Sequence, residues 1–96
     1  MWILQSAEPN GAPLTFRLSQ GAVKTIGRAP RADFIIDAAL VSRLHCRLTA
    51  GAESLELEDL SSTNGTYVND KRVSRAQLTL GDRLRVGRVE LTVGQA

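Results

Sequence analysis

Three polar stretches of this chain carry side chains suited to gripping an oxyanion: Gly27-Arg28, Ser42-Arg43-Leu44-His45 and Ser61-Ser62-Thr63-Asn64-Gly65-Thr66. A dianionic phosphate is best met by a guanidinium, which offers parallel charge-assisted bonds, together with neutral donors for its remaining oxygens. Arg28 supplies the first, and the hydroxyls of Ser42 and Thr63 supply the second. The backbone N–H groups of the same two residues can extend the cradle. Asn64 has a donor and an acceptor, the pair a peptide main chain requires. Gly65 suits a turn with positive φ, which a Cβ would disfavour.

Each of these residues also has a plainer use. An arginine after a strand is commonly a solvated surface residue, and Asn64-Gly65 taken alone closes a hairpin. His45, the single histidine, is more readily a loop-pinning residue than a ligand contact. Asp33 and Asp59 stand beside apolar strands, where a carboxylate usually ties down a nearby N–H. With one histidine and no third partner for Ser42 and His45, neither a zinc site nor a Ser/His/Asp triad is supported. Recognition without catalysis is expected, with no metal and no cofactor.

The elements that must hold these loops are strands, because period-two alternation runs through the chain and helical periodicity is absent. Strands are expected over 2–6, 14–18, 23–26, 34–36, 46–50, 55–58, 66–69, 72–73, 84–86 and 89–93. Pro9-Asn10-Gly11 stops the first of these and Gln20-Gly21 turns the chain into the third. This spacing is the rhythm of an all-β sandwich whose loops gather at its two ends, with a small barrel as the competing architecture.

Composition narrows the class further. Ninety-six residues make one domain, 1–96, and 43% hydrophobic content argues against disorder. Trp2, Phe16, Phe34 and Tyr67 are the only aromatics, so the core must be aliphatic. The net charge of +2 carries no Lys/Arg block and no aromatic interleaving, which argues against nucleic acid. No apolar run reaches membrane-spanning length, and residues 1–7 lack a signal peptide's pattern. The lone Cys46 lies in an apolar alternation and reads as a buried small hydrophobe. A cytoplasmic setting is expected, and the Arg-rich, Lys-poor usage suits a bacterium.

The ordered set of motifs resembles the forkhead-associated (FHA) domain, a phosphothreonine-peptide recognition module. It comprises Ile26-Gly27-Arg28, Asp33-Phe34-Ile35-Ile36, Val41-Ser42-Arg43-Leu44-His45, Leu60 to Asn69 and Leu80-Gly81-Asp82-Arg83-Leu84. The resemblance spans about Trp2 to Val93 and implies an eleven-stranded β-sandwich of two antiparallel or mixed sheets, with the peptide site at one loop end. It implies that Arg28, Ser42 and Thr63 contact phosphate and that Asn64 grips the peptide main chain beside the phosphothreonine. Arg43 falls at a variable position and is expected near the phosphate or the adjacent peptide. Gly27, Gly65 and His45 match residues that support the loops.

One position bears on specificity. Some relatives place a basic residue two positions before the serine, where it reads an acidic side chain after the phosphothreonine; here that residue is Leu40. Leu40 cannot pair with an acid, so acid preference through that contact is not expected, and Arg31 or Arg75 is the possible substitute. The partner expected is a threonine-phosphorylated protein or peptide, linked to a Ser/Thr kinase, in signalling or regulated assembly. The rival expectation is a scaffold or oligomerisation domain that binds independently of phosphate.

Overall fold

The computed structural model describes residues 1–6 and 13–96; the Pro9-Asn10-Gly11 turn lies outside the described residues. The strands are β1 (Trp2–Ser6), β2 (Thr15–Leu18), β3 (Val23–Gly27), β4 (Phe34–Ile35), β5 (Cys46–Ala50) and β6 (Leu55–Asp59). They continue as β7 (Thr66–Val68), β8 (Lys71–Val73), β9 (Arg75–Leu78), β10 (Arg83–Val86) and β11 (Val89–Gln95). One sheet has six strands in the order β2-β1-β11-β10-β7-β8, and the other has five in the order β4-β3-β5-β6-β9. All pairings are antiparallel except β3 with β4. The expected eleven-stranded all-β sandwich is therefore what the chain forms, and the barrel alternative falls away.

The alternation read from the sequence decides which side of each strand is buried. On β5, Cys46, Leu48 and Ala50 point inward while Arg47 is exposed; on β6, Leu55 and Leu57 are buried and Glu56 is exposed. Leu4, Leu18, Ile26, Leu78, Leu84, Val86 and Leu91 complete an aliphatic core with essentially no exposure. Burying such a side chain contributes roughly 1.5–3 kcal/mol, so these rows drive the two sheets together. At one end Trp2 closes the sandwich, its indole N–H donating to the Gly51 carbonyl at 2.8 Å. At the edge, the Phe16 and Phe34 rings stack with centroids 4.5 Å apart, joining β2 of one sheet to β4 of the other.

Strand β9 is absent from the sequence expectation. Its inward positions are Ala76, which is small and only partly covered, and Leu78. Only Ser74 separates it from β8, with no Gly or Pro to mark a break, although β8 and β9 belong to different sheets. Asn69 was expected to extend β7. It begins the tight β7–β8 turn instead, where Asn69 and Asp70 have φ of 49° and 70°. This is the two-residue hairpin turn whose positive φ values match strand twist. Asn64-Gly65 closes no hairpin and belongs to the connection between β6 and β7, which lie in different sheets.

Candidate phosphopeptide-binding site

The ends of β3, β6 and β10 and the starts of β5, β7 and β11 meet at one edge of the sandwich, where their connections cluster. Arg28 follows β3 directly, and its loop is bolted to the loop before β5. The Arg28 N–H donates to the Ser42 carbonyl and the Ala29 N–H to the Arg43 carbonyl, both at 3.0 Å. Gly27 makes this approach possible, because a Cβ there would lie 2.0 Å from the Arg43 carbonyl oxygen. Its requirement for glycine is therefore steric contact with backbone rather than an unusual φ.

Arg28 is exposed, yet its guanidinium is oriented: Nε donates to the Val41 carbonyl at 3.1 Å. The two terminal nitrogens remain as a fork for a bidentate anion. Ser42 Oγ accepts the Thr63 N–H at 3.0 Å, which leaves its own proton to donate elsewhere. The Ser42 N–H is given to His45 Nδ1. Both backbone donors considered for the cradle are thus engaged within the protein, so the hydroxyls and the guanidinium are the groups that face outward.

His45 is completely buried and joins two of the loops. Nδ1 accepts from Ser42 N–H at 3.0 Å, so the ring proton sits on Nε2 and is donated to the Gly65 carbonyl at 2.8 Å. Gly65 has φ +90°, as its turn role demands, and a Cβ there would press on the Arg72 guanidinium at 2.7 Å. Asn64 Nδ2 donates to the carbonyl of Leu40 at 3.1 Å. Leu40 itself adopts φ 73°, a left-handed conformation uncommon for a residue with a Cβ. Asn64 is exposed, and its side-chain oxygen accepts no hydrogen bond among the described residues.

Asp59, at the end of β6, is the anchor beneath these loops. Its carboxylate accepts the Ser62 hydroxyl at 2.5 Å, the Thr66 hydroxyl at 2.7 Å and the Ser62 N–H at 3.2 Å. Ser62 Oγ in turn accepts the Gly65 N–H. Burial pushes the Asp59 pKa up, but the hydroxyls of Ser62 and Thr66 and the Ser62 N–H outweigh it and hold the carboxyl below its ordinary range. The N–H-tying use expected for Asp59 is present, and the Ser62 and Thr66 hydroxyl contacts are additions that only the folded chain reveals. Asp33 does the equivalent at the Arg28 loop, accepting the Thr25 N–H at 2.8 Å. Cys46 is fully buried, and its thiol is pushed up to about 12 by burial and by the nearby Asp59 charge.

The result is an open pocket of ≈ 390 Å³ lined by Arg28, Ala39, Leu40, Val41, Ser42, Thr63 and Asn64. Arg28, Ser42, Thr63, Asn64 and Leu40 therefore converge as the sequence suggested. Gly27, His45 and Gly65 are buried behind them. Arg43 and Arg31 are exposed and do not line the pocket. Arg75 was expected on a loop able to fold over a peptide. It stands instead on β9, with its guanidinium on Glu58 at 2.8 Å, and Glu58 also binds Arg47 across the sheet.

A two-sheet sandwich that presents an oriented arginine, two hydroxyls and an amide from loops braced by His45 and Asp59 has the form of a loop-based recognition module. The FHA domain family model matches residues 24–87, and the chain belongs to that family. Over 78 residues it is 42% identical to the ABC transporter ATP-binding/permease protein Rv1747 of Mycobacterium tuberculosis, covering 81% of this chain and 9% of that protein. The chain spans less than half the length of the first curated relatives it matches. Its structure resembles the FHA domain of FhaA complexed with the intracellular domain of Rv3910, at TM-score 0.86 and 36% identity over 98% of this chain and 100% of that one. It also resembles an FHA domain solved for its phosphothreonine-dependent interactions, at TM-score 0.84 and 35% identity over 99% and 96% of the two chains.

Proposed function

We propose that residues 1–96 act as one recognition domain that binds a threonine-phosphorylated peptide or protein without chemical change. The observation that carries this reading is the convergence of Arg28, Ser42, Thr63 and Asn64 on a single pocket from three separate loops. The phosphate lies against the Arg28 fork and accepts hydrogen bonds from the Ser42 and Thr63 hydroxyls, while Asn64 holds the adjacent peptide main chain. Arg43, exposed beside Ser42, adds positive potential to the same edge. Thr63 also offers the contact to the threonine methyl group that a serine would lack, with Leu40 beside it on the pocket wall.

An unmodified ligand lying over the pocket offers no acceptor to the two terminal nitrogens of Arg28, so discrimination comes from bonds that it cannot make. The modification is supplied by a Ser/Thr kinase, and recognition then couples that kinase to signalling or assembly. The mycobacterial relatives support a bacterial source, and a cytoplasmic setting belongs to the same proposal. Phosphothreonine-dependent interaction of a similarly folded FHA domain supports the ligand class.

Arg28→Ala should weaken phosphopeptide binding by at least ~2–4 kcal/mol, the scale of deleting one side of a charged hydrogen-bonded pair. The melting temperature should barely move, because the side chain is exposed and contributes nothing to the core. Calorimetry with phosphothreonine, phosphoserine and unmodified versions of one peptide tests the reading. Equal affinity for all three, or partner binding that survives phosphatase treatment, would mean a phosphate-independent scaffold instead.

A further inference from the structure

The two sheets treat charge on their outer faces differently. On the five-stranded sheet, Arg47, Glu58 and Arg75 stand in register, and both arginines are paired with the Glu58 carboxylate. On the six-stranded sheet, the corresponding row at the pocket end is Arg72, Tyr67 and Arg85 on β8, β7 and β10. Arg85 lies over the Tyr67 ring, 4.2 Å from its centroid. Among the described residues, neither Arg72 nor Arg85 forms an ion pair; Glu90 faces Arg85 in register without bonding to it. Tyr67 separates the two guanidinium groups in register, and neither is bonded to an acid among the described residues.

The row is continuous with the pocket on both of its walls. Arg72 lies against Gly65, the residue after Asn64, as the 2.7 Å and 3.0 Å approaches of its Nε and Cζ to a Cβ built there demonstrate. Arg85 donates to the Gly87 carbonyl at 3.4 Å. Gly87 in turn packs on the Ala39–Leu40–Val41 wall, where an added Cβ would meet Val41 Cγ2 at 3.1 Å. Asn64 and Leu40 are themselves bonded, so a ligand segment crossing that bond passes onto the arginine row.

We propose that Arg72 and Arg85 are specificity residues that bind acidic side chains of the ligand segment leaving the pocket past Asn64. The proposal rests on the phosphothreonine reading and deepens it. It assigns to the outer face of the six-stranded sheet the acid-reading role that Leu40 cannot fill and that Arg75, held by Glu58, does not reach. Arg85 is already positioned by the Tyr67 ring, so little ordering is lost when an acid arrives.

The probe is a phosphothreonine peptide flanked by alanine, with aspartate introduced at each flanking position in turn, and the readout is the ratio of affinities, Asp over Ala. Wild-type protein should favour aspartate about fivefold at positions on one side of the phosphothreonine, the scale of an exposed ion pair. That ratio should fall toward one in the Arg72→Gln/Arg85→Gln variant, persist in Arg75→Gln, and return in the Arg72→Lys/Arg85→Lys variant, where charge is kept. In wild-type protein, and in each variant that keeps the preference, the ratio should also shrink in high salt. If every peptide binds but the wild-type ratio is near one, or the glutamine variant keeps the wild-type ratio, the inference fails and the phosphothreonine reading stands. If no phosphothreonine peptide binds wild-type protein, that reading fails and takes the inference with it.

Discussion

His45 spends both ring nitrogens on protein backbone, one on the Ser42 N–H and one on the Gly65 carbonyl. It touches no solvent, so its effect on binding is exerted through the loops it joins. His45→Ala leaves a buried gap and two unpaired backbone groups, at a cost of roughly 2–4 kcal/mol. Denaturant unfolding should report that loss, and phosphopeptide affinity should fall with it, whereas Arg28→Ala moves affinity alone. An unchanged melting temperature in His45→Ala would contradict the bracing assignment. The chemistry of these residues was legible from type and order: guanidinium, hydroxyls and amide could be named before any coordinates. Which donors are already spent was not, because the Ser42 N–H is taken by the folded-back ring of His45 and the Thr63 N–H finds Ser42 only when distant loops meet.

At the scale of elements, the junctions around Gly27 and Gly65 separate two reasons for having no side chain. Gly27 faces a backbone carbonyl 2.0 Å from where a Cβ would sit, and a backbone held by the Arg28 and Ala29 bonds cannot withdraw. Gly65 faces the flexible Arg72 side chain, and its own penalty is conformational, at φ +90°. Gly27→Ala should therefore destabilise more than Gly65→Ala, which should cost about 1–2 kcal/mol; thermal melts of the pair give the order. Reversal of that order would mean the Arg28 loop yields more easily than its bonds imply. Strand pattern was readable wherever large apolar residues alternate, as on β5 and β6. It failed at β9, where Ala76 occupies an inward slot and the chain changes sheets within Ser74. It also failed at Asn69, read as the end of a strand, which opens a turn in which Asn69 and Asp70 both have positive φ.

Across the whole molecule, several carboxylates titrate below their ordinary range in the folded state. Asp33 is lowered by the Thr25 N–H, Asp82 by the Thr79 N–H and Asn69, and Glu58 by Arg75. In Asp59 burial acts upward, and the Ser62 and Thr66 bonds prevail. The unfolded chain therefore holds these protons more tightly than the folded one. Stability is complete above the unfolded carboxylate range, near about 4, and is lost as pH falls through the lowered folded values. Urea midpoints should be flat around neutrality and drop in acid, with Asp59→Asn flattening part of the drop. A midpoint that rises on acidification would contradict this linkage.

The pairing of β1 with β11 has a consequence for how such a domain is used. Trp2 lies opposite Gln95, and the Ala96 N–H bonds to the Met1 carbonyl at 3.0 Å, at the end of the sandwich away from Arg28. The points of entry and exit are therefore neighbours, and both are remote from the ligand loops. A polypeptide attached at either point, or a host chain interrupted by this unit, is carried at the back while the reading surface faces forward. The domain behaves as a plug with its two wires on one side, which suits relatives such as Rv1747 and FhaA, where the shared stretch is 9% and 16% of the protein.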